Sequence, residues 1–91
     1  MKLIKPNHIV SENFEFFRKD KDTLVYIEDG KTLSIQAEAG YDPNYYTAIY
    51  LSLAKQWNAP YNILIDEVKK KEIEANLIKG FLFMKTRVKV E

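Results

Sequence analysis

The chain contains no cysteine, which excludes disulfides and thiolate metal sites and removes any need for an oxidising compartment. Histidine occurs once, as His8. It falls in residues 6 to 12, a stretch of turn and loop chemistry, and with no cysteine nucleophile available it reads as incidental rather than catalytic. Three glycines are too few to build a phosphate-cradling loop. No apolar run is long enough to cross a bilayer. The start Met1-Lys2-Leu3-Ile4-Lys5-Pro6 meets charge and proline before it reaches signal-peptide length, so a cytoplasmic location is expected. A net charge is nearly missing too: 14 Lys and Arg against 13 Asp and Glu present no strong field to an acidic polymer.

What is present fits one domain over residues 1–91, since a chain of this length buries roughly 60 to 70% of its unfolded surface without metal or disulfide staples. Phe14 and Phe16 alternate with Asn13 and Glu15 in a short strand-like run ending at Arg18. The clearest local signal follows. Leu24-Val25-Tyr26-Ile27-Glu28 and Lys31-Thr32-Leu33-Ser34-Ile35-Gln36-Ala37-Glu38 flank Asp29-Gly30, which supplies the positive φ angles of a tight hairpin turn. In the second arm Leu33, Ile35 and Ala37 share one face and Thr32, Ser34, Gln36 and Glu38 the other, so one side is buried and one is wet.

Residues 45 to 57 admit two readings. As a helix, Asp42-Pro43 would start it and Tyr46, Ile49, Tyr50, Leu53 and Trp57 would form a stripe. As a strand, Tyr45, Thr47, Ile49, Leu51 and Leu53 share a face, and the β-branched and aromatic content suits a sheet. Trp57, the only tryptophan, and Pro60, which cannot donate an amide hydrogen, mark the junction where the spacing of two gives way to helical spacing. Beyond it Asp66 is a capping residue, and Ile73, Leu77, Ile78, Phe81 and Leu82 recur at three and four. That predicts a helix over about 66–80, with Gly80 weakening or ending it. Met84, Thr86, Val88 and Val90 then alternate with Lys85, Arg87 and Lys89, predicting a final strand over about 84–90. The expected fold is α+β: an antiparallel sheet built on the 24–38 hairpin with the helix packed across one face.

No cluster spells out a reaction, and no cofactor or metal is expected. Asp66-Glu67 could bind a metal with Glu28, Asp29 or Glu38, but carboxylates at a helix start are more often caps, and adjacent charges at a hairpin tip are normally solvated. Residues 1–54 carry a formal charge of −2 and residues 55–91 of +3, an asymmetry that solvated faces produce as often as binding sites do. Lys69-Lys70-Lys71 fan out by about 100° each and form no single patch. The basic strand face of Lys85, Arg87 and Lys89, with Arg18, is the alternative site, for single-stranded nucleic acid. Near-neutral total charge makes nucleic acid an unlikely partner. Tyr41, Tyr45, Tyr46, Tyr50 and Tyr61 cluster around the segment leading to Trp57. Such side chains either finish a small core or concentrate at interfaces.

The ordered set 24–28, 33–38 and Ile49-Tyr50-Leu51-Ser52-Leu53 leading to Trp57 and Pro60, then Asp66-Glu67 and the helix through Ile73 and Leu77, resembles a family of small immunity proteins. They are encoded beside toxin genes in bacterial polymorphic toxin systems. The resemblance covers residues 23 to 90, implies an α+β fold with a characteristic tryptophan, and favours a strand over about Tyr45 to Leu51 followed by a bend into Trp57. It also implies a non-enzymatic protein that neutralises a toxin by binding it. The expected contacts are the tyrosines of 41–50, Tyr61, and the hairpin-tip acids Glu28 and Asp29, with Trp57 and Pro60 structural. Self-association through an exposed strand edge is a third possibility.

Overall fold

A computed structural model describes residues 1–5, 8–39 and 47–91. Among the described residues seven strands form one sheet in sequence order: β1 (Lys2–Lys5), β2 (His8–Val10), β3 (Glu15–Asp20), β4 (Thr23–Glu28), β5 (Lys31–Ala39), β6 (Thr47–Ile49) and β7 (Val88–Val90). One helix, α1 (Glu67–Phe83), precedes β7. The sheet curls into a half-barrel, and Ile73, Leu77 and Phe81 of α1 join its buried face. The α+β class therefore stands. The purely antiparallel sheet does not, because β6 and β7 run parallel. The cause is the connection: a strand reached from its neighbour by way of a long helical crossover returns in the same direction.

The hairpin forms as its sequence dictates. Asp29 (φ 51°) and Gly30 (φ 75°) both adopt the positive φ of the turn, and Glu28 pairs with Lys31 across it. Register then builds a row of inward residues across the sheet, Ile9 against Phe16, Phe16 against Tyr26, and Tyr26 against Leu33. Leu24 faces Ile35 in the next row. Ring contacts tie the row to the helix, with Phe16 stacked on Phe81 at 5.3 Å between centroids and Phe14 at 6.0 Å from Tyr26.

Three boundaries differ from the sequence reading. Residues 6–12 are not all loop: His8–Val10 is a strand, with only Ile9 fully buried, and exposed β1 pairs outside it. Each strand is too short to show a periodic signal. Residues 47–49 are strand as expected, followed by a 3₁₀ turn at Leu51–Leu53 rather than strand to Leu51, because the Leu53 and Ala54 amides turn back to Tyr50 and Leu51. No helix occupies 47–57; Tyr45 and Tyr46 lie outside the described residues. Finally, α1 continues through Gly80 to Phe83, and the last strand begins only at Val88. Asp66 does cap the helix, its Oδ1 accepting from the Lys69 amide at 2.7 Å.

Candidate binding surface

Trp57 is 3% exposed. Its ring lies 6.3 Å from that of Tyr26, and the Lys31 ammonium sits 5.5 Å above it and 5.9 Å above the half-exposed ring of Tyr61. Cation and aromatic faces attract, so Lys31 holds the two rings at the hairpin end of the sheet. Trp57 is thus a buried member of the core. Pro60 is exposed, in a turn with a cis peptide bond before it.

Around the tryptophan, residues 55–65 fold back on themselves. The Trp57 amide donates to Ile63 O (2.9 Å), the Ile65 amide donates to Lys55 O (2.9 Å), and Gln56 and Leu64 form an antiparallel bridge. Asn58 fastens this loop to β5. Its amide donates to Thr32 O (2.9 Å), and its side-chain nitrogen donates to Thr32 Oγ1 (3.1 Å) and Ser34 Oγ (3.0 Å). On that base the loop exposes Tyr61, Ile63 and, at 75%, Leu64, with Leu53 of the 3₁₀ turn exposed before it. Large apolar side chains are thus presented on a backbone that is already fixed, which lowers the ordering cost of a partner.

Glu28 is placed differently from the solvated hairpin-tip acid expected. It is 7% exposed and accepts hydrogen bonds from the Tyr26 hydroxyl (2.7 Å) and the Lys69 ammonium (2.6 Å). Asn76 donates to the same Tyr26 oxygen (2.9 Å), and Lys69 also reaches Glu72 at 3.2 Å. The alternation of β4 explains it: Leu24, Tyr26 and Glu28 share the inward face. Burial works to raise the Glu28 carboxyl, but the bonds from Lys69 and Tyr26 outweigh it and hold the group below the ordinary carboxylate range. Lys69 is raised, chiefly by its bond to Glu28. Burial, then the bond to Glu28, raises the Tyr26 phenol, so it stays protonated. Asp29 alone keeps the exposed tip position.

Of the tyrosines, Tyr50 donates to Glu38 at 2.7 Å and Tyr61 is on the loop described; Tyr41, Tyr45 and Tyr46 lie outside the described residues. Lys85, Arg87 and Lys89 are all exposed and alternate with half-buried Met84, Thr86, Val88 and Val90, but the strand covers only part of that run. Only Lys89 is in β7, where it pairs with Glu91 at 3.0 Å. Lys85 occupies the left-handed position after the helix (φ 58°), and Arg18 donates to the carbonyls of Asp20 and Lys21, closing the β3–β4 turn. His8 lies in β2 and bonds Glu15 at 2.6 Å. Among the described residues no three His, Cys, Asp or Glu side chains are grouped to hold a metal, and no helix is long and apolar enough to cross a membrane. Sequence reasoning did not single out the exposed Ile63 and Leu64, an apolar pair one residue beyond Tyr61 with no periodic partner to bury it. Compared with known proteins, the chain matches no family model, no curated protein and no solved structure.

Proposed function

We propose that this chain is a non-enzymatic, cytoplasmic binding protein that docks a folded protein on its 53–65 surface, and that the partner is a bacterial toxin domain it neutralises. The binding reading is carried by one observation: Tyr61, Ile63 and Leu64 stand exposed together on a loop whose base is fixed by Trp57 and Asn58. The toxin as partner rests on the resemblance of residues 23–90 to small immunity proteins. A stable inhibitor interface takes roughly 800 Å² from each partner, out of 6040 Å² here. The loop is then the anchor of a larger face.

Calorimetric titration with the toxin domain encoded beside this chain's gene tests the proposal. Saturable one-to-one binding is expected, weakened at least tenfold by Leu64→Asp, a substitution on a side chain that supports no core. Tight binding of a labelled single-stranded oligonucleotide with a steep salt dependence, and none of the protein, would replace this reading with the nucleic-acid one.

A further inference from the structure

β7 ends the strand order of the sheet. Its inner edge is used: the Thr47 amide donates to Arg87 O at 3.0 Å and the Glu91 amide to Ile49 O at 2.7 Å. Successive strand residues turn their amide and carbonyl to opposite edges, so Val88 and Val90 direct theirs outward. No strand among the described residues pairs there. The Val88 and Val90 side chains meanwhile pack against the core, anchoring the strand while its outer backbone stays open.

Two clefts lie between that edge and α1. Near the start of α1 a cleft of about 200 Å³ joins Glu67 and Lys70 to Val90 and Glu91, and near its end one of about 470 Å³ joins Ile78 and Leu82 to Val88 and Arg87. Helix and strand therefore run antiparallel along a seam of roughly 22 Å, taking 1.5 Å per residue from Glu67 to Leu82. Beside the larger cleft the wall is apolar, with Leu82 70% exposed, whereas the smaller cleft is lined by Glu67, Glu74 and Glu91 together with Lys70 and Lys71. Only at the larger cleft is the rim cationic. Lys85 and Arg87 line the larger cleft, no acidic residue does, and neither cation has an ion-pair partner among the described residues.

We propose that an extended peptide adds as an eighth strand to the outer edge of β7, setting apolar side chains on Ile78 and Leu82 and acidic ones against Lys85 and Arg87. Main-chain bonds to Val88 and Val90 supply affinity in this mode of recognition, and side chains pointing alternately to the two faces supply specificity. Charge complementarity selects the occupant: the cations call for carboxylates, and the exposed leucine and isoleucine call for aliphatic residues between them.

The test is an NMR titration of the full chain with a blocked decapeptide of alternating valine and glutamate. Saturable shifts are expected at the Val88 and Val90 amides and the Leu82 methyls, with affinity at least tenfold weaker when lysine replaces each glutamate. Val90→Pro removes an outward amide and leaves the β6 bonds in place; it lowers the melting point through lost packing, since Val90 packs on the core, but should abolish the Leu82 methyl shifts in a chain that keeps its folded spectrum. Arg87→Glu, on an exposed side chain, should weaken binding at least tenfold at an unchanged melting point. Absence of saturable shifts at those amides, equal binding of the lysine peptide, or shifts that follow protein concentration alone because a second copy holds the edge, would each overturn the proposal.

Discussion

Gly80 has no side chain to spare room for, because a Cβ there would run into Cε2 and Cζ of Phe16, itself fully buried against Phe81. Gly80→Ala should therefore destabilise by about 1–3 kcal/mol through overpacking, although alanine is the better helix former by about 1 kcal/mol; a denaturant midpoint above the parent's would contradict this. Beyond its end at Phe83 the helix is closed by Lys85, whose amide bonds Leu82 O while that of Thr86 bonds Phe81 O, the bonding of a left-handed cap. Lys85→Gly should raise stability by up to ~1 kcal/mol in the same assay, since glycine adopts that φ without steric cost. These two residues show why the helix end was misplaced in the sequence. Glycine marks a cap when it follows the last apolar position, but here it serves a close approach, and the cap is held by a residue type that gives no signal. Glu28 was misplaced for a related reason: adjacency to Asp29 suggested a solvated tip, whereas parity with Leu24 and Tyr26 decides its face. Because its folded-state pKa lies below the ordinary 4.5, Glu28 contributes stability above that value and loses it as pH falls through the depressed one. Glu28→Gln should cost about 1–3 kcal/mol near neutrality, with the gap to the parent narrowing on acidification toward pH 3. A gap that widens would contradict it.

At the scale of elements, the 24–38 hairpin was legible because turn chemistry and alternation agree, and α1 because its inner spacing runs from an aspartate cap. β1 and β2 were not, being four and three residues long, whereas β7 was read from its alternation but over the wider span 84–90. The parallel pairing of β6 with β7 follows only once the intervening helix is known to lie across the sheet. The 55–65 loop is the element on which the proposed function rests, and Asn58 is its fastening. Asn58→Ala removes donors to Thr32 and Ser34. Because each hydrogen bond contributes about 1 kcal/mol net, it should cost a modest 1–2 kcal/mol in global stability. Amide exchange at 61–64 should nevertheless rise by an order of magnitude; unchanged exchange there would mean the loop is held by other contacts.

Across the whole molecule, a half-barrel with one helix on its buried face leaves Trp57 to close the hairpin end. Trp57→Ala should cost about 3–5 kcal/mol against a total of roughly 5–15 kcal/mol for a domain, a severe fall in melting temperature. Tryptophan emission of the parent should shift to longer wavelength only on unfolding. The candidate partner surface was half legible: Tyr61 stood out as an aromatic near the tryptophan, while the loop that aims it, with Ile63 and Leu64, arises from bonds to β5 and to the chain's own backbone. The proposed docking face can be read directly by hydrogen exchange on a complex with the proposed toxin partner. Protection beyond that of the free protein is expected in the segment 59–66; protection confined to α1 and β7, or none anywhere, would contradict docking on the Trp57 loop.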